Sequence, residues 1–72
     1  MTQDEVSSLL SSLGYKKWGG LRKTDGSSYQ CYRLRNSYIW VGAAFIETKS
    51  SPHALYYPNA SSKAVLSFLS DL

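Results

Sequence analysis

Residues 27–45, Ser27-Ser-Tyr-Gln-Cys-Tyr-Arg-Leu-Arg-Asn-Ser-Tyr-Ile-Trp-Val-Gly-Ala-Ala-Phe45, read as two strands joined by a tight reversal at Asn36-Ser37. Successive residues alternate across a strand, and the length of a hairpin loop fixes its register. A two-residue loop at Asn36-Ser37 pairs Arg35 with Tyr38, Leu34 with Ile39, Arg33 with Trp40 and Tyr32 with Val41. One side of the hairpin then carries Tyr32, Leu34, Ile39, Val41 and Phe45, which is core material. The other carries Tyr29, Arg33, Arg35, Tyr38 and Trp40, arginines opposite aromatic rings. A longer or shifted connection would change which of these groups stand together.

Working outward, Thr2-Gln-Asp-Glu5 has the form of a capping box, so a helix should start there. Val6, Leu9, Leu10 and Leu13 follow at the spacing of one helical face, and Gly14 offers a left-handed stop. Residues 15–24 read as a strand interrupted by a bulge at Gly19-Gly20, across which Trp18 and Leu21 point the same way. Asp25-Gly26 is a favoured hairpin turn into the strand of residues 28–35. The third strand is expected to run on to about Thr48, past Gly42, Ala44 and Ile46 on the arginine side. After a polar loop over residues 49–53, Ala54 to Tyr57 can form a short edge strand. A last helix, capped by Asn59 or Ser61, repeats the apolar stripe at Val65, Phe68, Leu69 and Leu72. Both stripes need the same sheet face. The expected fold is therefore α+β, in the order α-β-β-β-(β)-α. Two helices pack on one face of a three- to four-stranded antiparallel sheet, and residues 1–72 form a single domain.

The totals agree with such a unit. A 72-residue chain buries only about 60% of its unfolded surface and does not divide further. With 43% hydrophobic and 14% aromatic residues it is too apolar for the disordered class. The single cysteine, Cys31, excludes an internal disulfide or a multi-cysteine zinc site, and nothing in the sequence suggests a metal or another cofactor. No apolar run approaches the roughly 20 residues that cross a bilayer, and the first residues are acidic where a secretion signal is basic. A cytoplasmic location away from membranes is the expectation. The net charge is +3, but Lys16, Lys17, Arg22, Lys23, Arg33 and Arg35 share one stretch with only Asp25 among them. That clustering favours an anionic partner, although basic strands also discourage edge pairing.

Arginines beside Tyr and Trp on an open sheet side have both ingredients of single-stranded nucleic-acid binding: rings on which bases stack and cations for phosphates. The same residue types dominate protein interfaces, and arginines also lie over rings as self-contained cation–π pairs. Ser61-Ser62-Lys63 can neutralise a phosphate at a helix start, or simply cap the helix. For catalysis, Cys31 and His53 are each alone in their class, and the sequence does not bring them together. The carboxylates are scattered, mostly at element ends. The domain is expected to bind without catalysing.

The helix, strands, helix order, with basic strands and a serine-lysine start to the last helix, resembles the double-stranded RNA-binding domain and the small HicA toxins that share that layout. Leu13-Gly14-Tyr15, then Gly26-Ser27-Ser28-Tyr29 and Tyr32-Arg33, are similar to the HicA pattern of a glycine-aromatic pair followed by Gly-Ser-His and an aromatic. Ser28 stands where that family has its catalytic histidine, so the resemblance implies RNA binding without cleavage. Where the RNA-binding domain carries two adjacent lysines at its helix start, only Lys63 is present. That domain grips RNA with its helices and a strand-connecting loop, not with its open sheet side.

Two functions of different class follow. The first is binding of RNA or single-stranded DNA through Tyr29, Arg33, Arg35, Tyr38 and Trp40, with Lys16, Lys17, Arg22, Lys23 and Lys63 neutralising phosphates. The alternative is a protein-protein interaction module, an inhibitor, adaptor or homodimer, that uses the same Arg/Trp/Tyr face.

Overall fold

The computed structural model describes the backbone of residues 1–24 and 27–72 and the side chains of residues 1–19 and 28–72. The expected Asp25-Gly26 turn and the direction of the Leu21 side chain lie outside these residues. Seven elements follow one another: α1 (Gln3–Ser12), β1 (Lys16–Thr24), β2 (Ser27–Leu34), β3 (Ser37–Val41), β4 (Phe45–Thr48), β5 (Leu55–Tyr56) and α2 (Ser62–Ser70). The strands form one antiparallel meander in the order β1-β2-β3-β4-β5.

Local chemistry sets the helix ends. The Thr2 hydroxyl accepts the Glu5 amide at 3.2 Å, and Glu5 Oε1 accepts the Thr2 amide at 2.7 Å, the reciprocal box read from the sequence. The Thr2 amide and hydroxyl hold the Glu5 carboxyl below its ordinary range. Past the last turn Gly14 takes φ +99°, the left-handed stop. Of the two caps the sequence allows for α2, the structure uses Ser61, whose hydroxyl accepts the Ala64 amide at 3.1 Å.

Val6 and Leu10 of α1 and Val65 and Leu69 of α2 pack on the same side of the sheet, against Tyr32, Ile39, Val41 and Ile46. Each fully buried aliphatic side chain contributes about 1.5–3 kcal/mol. Leu9 and Phe68 flank this core, while Leu13 and Leu72, at the ends of the two stripes, stay exposed. Buried Tyr57 donates its hydroxyl to the Gly42 carbonyl, and the Tyr32 and Ser7 hydroxyls are bonded at 2.6 Å. Burial, with Tyr29 and Tyr32 close by, pushes the Tyr57 phenol up to about 12.

Two reversals differ from the sequence expectation. The β2–β3 loop is Arg35-Asn36, one residue earlier than expected, so Leu34 faces Ser37, Arg33 faces Tyr38, Tyr32 faces Ile39 and Cys31 faces Trp40. Arg35 takes φ 55° where such loops usually place Gly or Asn, and the Arg33 Nε–H fastens the turn by donating to the Arg35 carbonyl at 2.9 Å. Every partner moves by two positions, which leaves the residues still paired between β2 and β3 on their expected sides and moves Arg35 into the turn.

The third strand does not run on to Thr48. The Gly42 amide donates to the Phe45 carbonyl at 2.9 Å, closing a tight turn over Ala43 and Ala44 that separates β3 from β4 and makes a sheet of five strands. That reversal exchanges two side chains. Ile46 is buried in the core, and Phe45 faces away from the helices, stacked on His53 and edge-on to Tyr56. In β1 the expected bulge is present: pairing shifts by two residues between Lys17 and Leu21, with Gly19 at φ 51° and its carbonyl accepting Gln30 Nε2 at 3.3 Å.

Candidate functional site

The sheet side away from the helices divides into a closed half and an open half. The closed half is built around Gly42, which has no side chain to lift a neighbour off the sheet. The Tyr29 ring lies over it so closely that a Cβ at Gly42 would sit 2.7 Å from Tyr29 Cε2. Tyr29 is therefore only 3% exposed, and it is corrected from a surface contact to a covering group of the sheet. Cys31 is buried beside it, its Sγ 3.9 Å from the Tyr32 carbonyl, and burial pushes the thiol up, away from the nucleophilic thiolate.

Glu47 sits opposite Trp40 and is fully buried rather than exposed at an element end. His53 closes over it: the His53 amide donates to Glu47 Oε2 at 3.4 Å, and Nε2 lies 3.6 Å from the same oxygen. His53 holds φ 52° and stacks its ring on Phe45, with centroids 4.5 Å apart. Among the described residues no three His, Cys, Asp or Glu side chains converge as metal ligands do.

The open half lies toward the Arg35-Asn36 turn. Lys16 of β1 faces Arg33 of β2, Arg33 faces Tyr38 of β3, and Lys49, just past β4, places Nζ 4.7 Å from the Tyr38 ring centroid. These four side chains form a row running across the strands. Trp18 leans over it, 50% exposed, with its ring 6.3 Å from Tyr38. The Arg33 guanidinium carbon lies 4.6 Å from the Trp18 ring and 5.7 Å from the Tyr38 ring, while Nε is held by the Arg35 carbonyl. Two rings and a backbone acceptor thus fix this cation. Among the described residues, no hydrogen-bond partner is present for its two outer nitrogens. Arg33 also lines a groove of about 320 Å³ with Gly14, Lys16, Trp18, Leu34 and Arg35, three cations and no carboxylate among the described residues.

Of the residues singled out from sequence, the structure gathers Lys16, Arg33, Arg35 and Tyr38 here, with half-buried Trp40 one step further along β3. Arg35 belongs to the turn instead of a strand and does not face Tyr38. Lys17 faces Tyr32, on the helix side of the edge strand, and Lys63 is exposed on α2, across the sheet from Arg33. The backbones of Arg22 and Lys23 pair with Tyr29 and Ser28, and their side chains lie outside the described residues. Sequence reasoning missed Trp18 and Lys49 as members. Trp18 could have been found from strand alternation, which puts it on the same side of β1 as Lys16, the partner of Arg33; Lys49 depends on the β4 register and had no local signal. Comparison of the chain with protein-family models, with curated proteins and with solved structures found no match.

Proposed function

We propose that this domain binds single-stranded nucleic acid, RNA or DNA, across the open half of its sheet. The observation that carries the reading is the Arg33 guanidinium, framed by Trp18 and Tyr38 with its outer nitrogens unengaged among the described residues. Held this way it is ready for a phosphate, which its planar fork matches in bidentate fashion. Half-exposed Trp18 and Tyr38 supply flat surfaces at about 1–3 kcal/mol per stacked base.

The row from β1 to β4 crosses three strand spacings, roughly 14 Å, comparable to the sheets on which two or three bases are stacked. Lys16, Arg33, Arg35 and Lys49 supply the phosphate contacts. Gripping a duplex through the helices, as the resemblance implies, would leave Lys63 without a second lysine beside it and would not use the Arg33 frame. A protein partner on this face is the competing reading.

Titration of tryptophan fluorescence with short single-stranded oligonucleotides tests the proposal, with RNA and DNA as separate arms. Binding is expected to quench Trp18 and to weaken with salt, log K falling against log salt by about 0.7 for each phosphate neutralised. Absence of binding at low salt, or a salt-insensitive dimer of the free protein by light scattering, contradicts it.

A further inference from the structure

We infer that the groove beside Arg33 is a receptor for a terminal phosphate monoester, so that the domain engages the phosphorylated end of a strand. The inference rests on the nucleic-acid reading above and adds to it a substrate class. Three features of the groove carry it.

Charge is the first. Lys16, Arg33 and Arg35 line one hollow of about 320 Å³ with no carboxylate among the described residues of its lining, whereas at the far end of the row Lys49 is the described cation near Tyr38. An internal phosphodiester carries a single negative charge, which any one of these three cations balances. A monoester carries about −1.5 to −2 at pH 7 and three acceptor oxygens.

The second feature is position. β1 is an edge strand, Lys16 is its first residue, and Arg35 sits in the β2–β3 turn, so the groove occupies a corner of the sheet. A strand crossing from β4 toward β1 reaches the last ring, Trp18, and runs out of sheet there. The cations lie where the path ends.

The third is the arrangement of donors. Arg33 offers its outer nitrogens from a fixed plane, while Lys16 and Arg35 are exposed side chains that can close on the same group from either side. The walls suit the nucleotide that bears the phosphate, with the Trp18 ring beside the groove and apolar Leu34 and Gly14 completing its lining.

The test compares one single-stranded sequence in three forms, with a 5′-phosphate, with a 3′-phosphate and with hydroxyls at both ends, binding to the whole chain. One phosphorylated form is expected to bind about tenfold more tightly than the hydroxyl form, and which one does so gives the polarity of the strand. In a Lys16→Gln/Arg35→Gln variant that keeps the wild-type circular dichroism, that ratio should fall to about one. Equal affinity for all three forms overturns the end-specific site and leaves the sheet reading standing. Failure of every form to bind removes both.

Discussion

The two sides of this one sheet are closed by different means. On one side Tyr32, Ile39, Val41 and Ile46 are covered by two helices, and what decides their position is the removal of apolar area from water. On the other side no helix lies over the residues set between them. Half of that surface is sealed by its own side chains, Tyr29 over Gly42 and His53 over Glu47. The other half stays exposed and holds its shape through rings and cations. Burial leaves little freedom for function; a surface ordered by cation–π contacts, worth about 0.5–1 kcal/mol each when exposed, can exchange them for a ligand.

Substitutions can break this contrast, the helix side first. Leu10→Ala removes a fully buried side chain and should cost about 3 kcal/mol in urea unfolding. On the sealed half, Gly42→Ala drives a methyl group into the Tyr29 ring and should cost about 2 kcal/mol. A loss below about 0.5 kcal/mol there would mean that the ring is not held down.

The Tyr57 phenol sharpens the comparison through pH. Its pKa is raised in the folded protein, so its contribution is complete below the unfolded value near 10 and is lost as pH rises through about 12. Stability should fall over that interval by an amount of order 2 kcal/mol, and Tyr57→Phe should flatten the slope seen by denaturation at successive pH values. The smallest effect on folding is expected on the open half. Arg33→Ala should cost about 1–1.5 kcal/mol in stability yet weaken oligonucleotide binding more than tenfold by fluorescence titration.

What was legible in the sequence follows the same division. Both helices, their caps and the sorting of Tyr32, Ile39 and Val41 from Arg33, Tyr38 and Trp40 depend on residues a few positions apart, and they are found as expected. The reversal over Ala43 and Ala44 was hidden because two alanines carry no turn signal, and missing it misplaced Phe45 and Ile46 and left the burial of Glu47 unforeseen. Likewise Asn36-Ser37 is the more turn-like dipeptide, but the reversal settles on Arg35-Asn36, where Arg33 can bond the Arg35 carbonyl. Tyr29 alternates onto the arginine side as expected, and only the glycine beneath it, just past the far end of the next strand, explains why it is buried.

Mapping chemical-shift changes by NMR as a single-stranded oligonucleotide is added addresses the interface most directly. The Trp18 indole, the Arg33 Nε–H and the Tyr38 ring should move together, with α1 and α2 unchanged. Shifts centred on Lys63 and the start of α2, with the Arg33 resonance still, would contradict it.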